Sequence, residues 1–178
     1  TTRQAGARVE YAGEREKLSV SRTISPEVVR SGNKASVMYE LVNSGNVDLK
    51  DIRVKENISK TAQTVSALKA GEKKTLTFTS KIGNADLTSN ATITYKASGS
   101  TKTLTEKIEN APIPLARPNL KITLSSPAQG VNIGEAATLV VTFQNDGNVS
   151  YSNVSVKDEK KGEILTNLSI PAGATVTE

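Results

Sequence analysis

Asn43-Ser44-Gly45-Asn46-Val47 and Asn145-Asp146-Gly147-Asn148-Val149 decide the reading of this sequence. The second stretch lies 102 positions after the first, 43 against 145. The same gapless offset sets Leu18 on Leu120, Val20 on Ile122 and Gly32 on Gly134. It sets Ile52-Arg53-Val54-Lys55 on Val154-Ser155-Val156-Lys157, and Leu68-Lys69-Ala70-Gly71 on Ile170-Pro171-Ala172-Gly173. Apolar positions, turns and glycines thus agree at one spacing. Solenoid and propeller units repeat every ~20–50 residues, which is too short. A period near 100 fits a chain of β-sandwich domains.

The runs between the turns have strand periodicity. Ala35, Val37, Tyr39 and Leu41 alternate with Ser36, Met38 and Glu40. Ala137, Leu139, Val141 and Phe143 occupy the same places in the second copy. Period-two alternation marks a half-buried strand, so both odd-numbered series are expected to face a core. Ile52 and Val54, Leu76 and Phe78, and Ile93 and Tyr95 follow the same rule. Gly- and Asn-bearing turns divide these runs at regular intervals and supply positive φ at low cost. No segment of useful length has helical period. The first copy reads as about seven strands in two antiparallel sheets.

The expected organisation has four parts. Residues 1–17 form an N-terminal segment, read as the end of a preceding repeat. Residues 18–109 form an immunoglobulin-like β-sandwich. Residues 110–119, with Pro112, Pro114 and Pro118, form a semi-rigid extended linker. Residues 120–178 form a second sandwich, which is truncated because Glu178 falls on Leu76 of the first copy. The simplest account is a piece of a longer tandem array. The other account is a second sandwich completed by another chain or by the N-terminal segment.

Composition bounds the chemistry. The 178 residues include no His, Cys or Trp, and only 3% are aromatic. Without His the commonest general base and metal ligand is missing. Without Cys there are no thiol nucleophiles, zinc thiolates or disulfides. The net charge is +5, but the basic residues are interleaved with acids, as in Lys157-Asp158-Glu159-Lys160-Lys161. That mixture does not form a nucleic-acid stripe. No stretch approaches the ~20 apolar residues of a membrane-spanning helix.

Site by site, the residues point away from catalysis. Asp48 and Asp51 lack the spacing of a calcium loop, and the second copy has Ser150 and Asn153 in their places. Lys34, Lys55 and Lys74 fall on outward or turn positions, which disfavours a Lys–Asn isopeptide bond. The amides of Asn43 and Asn145 fit turn-fixing roles. Five Asn-x-Ser/Thr triplets begin at Asn57, Asn90, Asn148, Asn153 and Asn167, and read as compositional accidents. Tyr11 and Tyr151 are the two aromatic residues offered as ligand contacts. No catalytic, cofactor-binding or metal-binding residue is assigned, and no cofactor is expected.

An alternating apolar strand, an Asn-x-Gly-Asn turn and then Ile-Arg-Val-Lys-Glu or Val-Ser-Val-Lys-Asp occur in both copies. This arrangement resembles the CARDB-like and related conserved-repeat domains of bacterial and archaeal surface proteins. The resemblance covers about 18–109 and 120–178. It implies immunoglobulin-like sandwiches strung in tandem on secreted or envelope-anchored chains, and supplies no catalytic residue. It is not the antibody type, which carries two Cys and a buried Trp. The function expected is a non-catalytic extracellular spacer or adhesion stalk of a bacterial cell-envelope protein. The alternative is a carbohydrate- or cell-wall-binding accessory module of a larger secreted enzyme or sensor. Expected partners are neighbouring repeats in the same parent chain and a surface protein or cell-wall polymer. No nucleic acid and no membrane span are expected in this segment.

Overall fold

A computed structural model describes residues 13–128 and 130–178. The described residues are all β, with twelve strands and no helix. By contact they divide into two units. One comprises residues up to Glu27 and Gly32–Ile113; the other comprises Val28–Ser31 and Pro114–Glu178.

The first unit is a β-sandwich of seven strands: β1 (Leu18–Ser25), β2 (Lys34–Asn43), β3 (Leu49–Glu56), β4 (Gln63–Leu68), β5 (Lys73–Lys81), β6 (Leu87–Ala97) and β7 (Leu104–Ile113). One sheet has the order β1-β2-β5 and the other β4-β3-β6-β7, with every pairing antiparallel. The alternation read in the sequence fixes which side faces in. Ala35, Val37, Tyr39 and Leu41 are fully buried, as are Ile52, Val54 and Ile93, while Arg53 and Lys55 are exposed. Tyr39 meets Phe78 edge-on, with ring centroids 6.0 Å apart and planes at 77°. That geometry suits the ring quadrupoles.

The second unit carries β8 (Leu120–Ser125), β9 (Val140–Asn145), β10 (Tyr151–Asp158), β11 (Gly162–Ile170) and β12 (Thr175–Thr177). These form a β12-β9-β8 sheet and a β10-β11 ribbon. The core is small: Val141, Phe143 and Ile170 are buried, with Leu120, Tyr151, Val154, Val156, Leu168 and Val176 packed against them. Val29, fully buried in this unit, bridges Leu115.

Three expectations are corrected. The stretch 110–119 is not a linker throughout: Asn110–Ile113 belong to β7, where Ala111, Pro112 and Ile113 face Ser89, Thr88 and Leu87 of β6. The edge position of β7 accommodates Pro112, because a proline N–H is not required on an open side. The loop Val28–Ser31, expected inside the first copy, groups with the second unit. There the Val29 N–H donates to Pro114 O and the Ala116 N–H to Val29 O, at 2.9 and 2.8 Å. Finally, the strand expected from Ala137 begins only at Val140, and Leu139 is 57% exposed. Its partners are short. β8 stops at Ser125, before Pro127, which stands where the first copy has Ser25 and lacks a ladder donor. On the other side Thr177 faces Thr142, and Glu178 exchanges backbone bonds with Val141. Without the β8 ladder, 137–139 gain less from extension.

Truncating a fully buried leucine therefore separates from truncating an exposed one. Leu41→Ala is expected to cost about 2–5 kcal/mol, and Leu139→Ala to stay within about 0.5 kcal/mol. Urea unfolding of the two variants checks this; equal losses contradict the register.

Candidate functional site

The repeated Asn-x-Gly-Asn turn is a clasp on the strand lead-in of its own unit. In the first unit the Asn43 side chain donates to Val47 O and Leu68 O at 2.8 and 2.9 Å, and accepts from the Gly45 N–H at 3.1 Å. In the second, Asn145 donates to Val149 O at 2.9 Å and to Ile170 O and Pro171 O, and accepts from the Gly147 N–H at 3.2 Å. Both asparagines are fully buried. A buried amide with all of its bonds made stabilises; one with its partners removed costs.

The second Asn of each turn grips the incoming chain. The Arg15 N–H donates to Asn46 Oδ1 at 2.6 Å, and Asn46 Nδ2 donates to Gly13 O at 3.0 Å. The Arg117 N–H donates to Asn148 Oδ1 at 2.7 Å, and Asn148 Nδ2 donates to Leu115 O at 2.8 Å. Backbone bonds close the contact: Ser44 N–H to Lys17 O and Asn46 N–H to Arg15 O, matched by Asp146 N–H to Asn119 O and Asn148 N–H to Arg117 O. The glycine between is a steric requirement. A Cβ on Gly45 would stand 2.1 Å from Arg15 O, and one on Gly147 would stand 2.4 Å from Arg117 O.

The acids once weighed as calcium ligands have structural tasks. Asp48 accepts the Ala70 N–H at 2.9 Å, and Ser150 accepts the Ala172 N–H at 3.1 Å. Asp51 and Asn153 both hold positive φ, 53° and 56°, where the strand register shifts. Short polar side chains tolerate that conformation. Acceptor capacity and left-handed tolerance are what these positions share, so a carboxylate is dispensable at both. Among the described residues no group of three or more Asp or Glu is placed to hold a metal ion. Lys34, Lys55 and Lys74 are exposed.

One polar cluster was missed. Glu56 is fully buried in the first unit. It accepts the Tyr39 hydroxyl proton, the Ser89 hydroxyl at 3.1 Å and the Asn90 N–H at 3.1 Å. Arg22 donates to Ser89 O at 3.0 Å and Glu109 O at 2.7 Å, tying the first sheet to β6 and β7. The signal was parity: Glu56 continues the inward series of Ile52 and Val54. At the offset of 102, Tyr39 and Glu56 fall on Val141 and Asp158, so the second unit lacks the pair. Burial and the bond to Glu56 push Tyr39 up to about 12. Of the two aromatic ligand candidates, Tyr151 is half-buried against the second core, and Tyr11 lies outside the described residues.

A CARDB family model matches residues 15–110. The chain belongs to the CARDB family. The match begins at Arg15, the residue whose N–H the first clasp holds. CARDB domains are found in surface proteins. No curated protein matches the sequence. Among solved structures, red sea bream transglutaminase is similar at 18% identity and a TM-score of 0.40, over 96% of this chain and 26% of that one. The chain thus spans about a quarter of that protein's length.

Two outcomes follow. Gly45→Ala forces backbone apart and is expected to cost about 1–3 kcal/mol or more, whereas Gly83→Ala, with open space around its Cβ, is near neutral. Thermal unfolding distinguishes them; equal shifts contradict the clasp. For Tyr39, the raised value means that the folded state keeps its proton where the unfolded state loses it. Its contribution to stability is complete below pH ~10 and is lost as pH rises to about 12. Burial also raises Tyr95, so ultraviolet titration is expected to show two late tyrosines, and Tyr39→Phe is expected to remove one of them; an unchanged late phase contradicts the assignment.

Proposed function

We propose that this chain is a non-catalytic spacer or adhesion-stalk segment of an extracellular bacterial cell-envelope protein, built from tandem immunoglobulin-like domains. The observation that supports it is how the polar side chains are used. The asparagines and aspartates described above hold backbone at positions repeated at one spacing, and the buried Glu56 joins strands within the first unit. CARDB membership supports the surface setting. Its partners in this reading are neighbouring repeats of the parent chain and a surface protein or wall polymer.

The accessory-module reading needs an exposed aromatic platform. Tyr39 and Tyr95 are buried and Tyr151 is packed on the core, so the described residues present no aromatic trio for sugar stacking.

Intact cells of the source treated with a membrane-impermeant amine reagent are the test. The many exposed lysines are expected to be labelled without lysis. Labelling that appears only after lysis contradicts the extracellular reading. Retention on wall polymer that falls tenfold or more on Tyr151→Ala, in a variant that stays folded, would favour the accessory module instead.

A further inference from the structure

The five Asn-x-Ser/Thr triplets are equal in sequence and unequal in structure. Asn57 Nδ2 donates to Thr88 O at 2.7 Å, while its Oδ1 accepts the Asn90 N–H at 2.9 Å. Asn90 Nδ2 donates to Asn110 Oδ1 at 2.9 Å. Asn148 is closed in the second clasp. Each of these nitrogens already donates one of its two protons to a bond between strands or between a turn and its lead-in, so a sugar there has to share the nitrogen with that bond.

Asn153 and Asn167 differ. Both are exposed, and neither side chain has a hydrogen-bond partner among the described residues. Both hold positive φ, 56° and 59°, within the irregular pairing of β10 and β11. The middle residues of the two triplets, Val154 and Leu168, are register partners and pack on the core. The flanking residues, Asn153 and Ser155 on one strand and Asn167 and Ser169 on the other, are all exposed. The repeat does not demand this arrangement throughout. Asp51 stands opposite Asn153 in the offset, but Val65 stands opposite Asn167. In the first unit Ile52 pairs with Val65; in the second Val154 pairs with Leu168, one position further along. Asn167 sits in the bulge that this slip creates, and a bulge re-aims a side chain.

We propose that Asn153 and Asn167 are a pair of N-glycan acceptor sites on the β10–β11 ribbon. The donor is a glycan linked through a diphosphate to a membrane lipid, transferred by an oligosaccharyltransferase. Asn Nδ2 forms a bond to the anomeric carbon of the sugar. The bond from that carbon to the phosphate oxygen breaks, the lipid diphosphate leaves with the electron pair, and one amide proton passes to a base of the transferase. The serine two residues on completes the recognised triplet. This rests on the extracellular reading above, because the modification belongs to exported chains. Two bulky polar groups on one ribbon would leave both clasps untouched.

The test uses the full 178-residue chain, made without glycosylation and incubated with an oligosaccharyltransferase and a polyprenyl-diphosphate-linked glycan. Folded and urea-unfolded samples are compared by intact mass and peptide mapping. The folded chain is expected to gain two glycans, at Asn153 and Asn167. Asn153→Gln and Ser155→Ala each remove one, Asn167→Gln and Ser169→Ala the other. The serine variants leave the positive-φ residues in place and guard against misfolding. A folded chain that stays unmodified, whatever the unfolded chain does, overturns the proposal. So does modification of folded chain at Asn57, Asn90 or Asn148 in preference to the pair. Surface labelling of cells is independent of this readout, so either reading fails on its own.

Discussion

A backbone segment passing close over a glycine, held on both sides by asparagine amides, is the constraint on which each unit depends. The lead-in at 13–17 or 115–119 runs against the turn so tightly that no side chain fits at Gly45 or Gly147. The first Asn fixes the turn from within the core and reaches the carbonyl of Leu68 or Ile170 at the end of the next hairpin. The second Asn holds the lead-in from outside. One four-residue motif thereby fixes where the chain enters, where the following strand begins, and where the next hairpin closes. Each amide bond adds about 1 kcal/mol net. Its larger effect is to leave no inexpensive alternative, since a slipped turn would strand a buried amide.

The cores built around these clasps differ in kind. The first has long strands paired over most of their length, a Tyr39–Phe78 contact and a buried carboxylate satisfied by two hydroxyls and a backbone N–H. Among the described residues, the second has a hydrophobic cluster of Val141, Phe143 and Ile170, with Val29 and Asn145 also buried. A satisfied buried Glu adds specificity of packing more than net stability, because desolvating the charge offsets much of what its bonds return. The first unit's sheets are thus joined by polar bonds that the second replaces with Val141 and an exposed Asp158.

The sequence alone carried the strand series of the first unit, because Ala35 to Leu41 and Ile52 to Val54 alternate with Met38 as the one apolar residue on the outward side. It also carried the turns, since glycine and asparagine there answer local needs. The lead-in contacts were hidden for a physical reason. The lead-in residues act through their backbone, so Gly13 and Lys17 stand opposite Leu115 and Asn119 in the offset, and only Arg15 and Arg117 agree. Glu56 was passed over because a charged residue at a strand end reads as exposed, although its parity pointed inward. Ala137 and Leu139 misled because alternation reports what a strand would bury, and says nothing of whether a partner strand reaches it. Pro112 suggested a linker by composition, whereas an edge strand accepts proline where no donor is needed.

Amide hydrogen exchange at Arg15 and Arg117 tests the clasp most directly. Both lie outside every strand, on exposed residues, yet each N–H donates to an asparagine Oδ1. The account predicts protection of both amides at least a hundredfold over an unstructured chain, falling together with the strands of their own unit as urea is raised. Exchange at the unstructured rate, with the flanking strands still protected, would show that the lead-in is not held and that the repeated motif closes only its own turn.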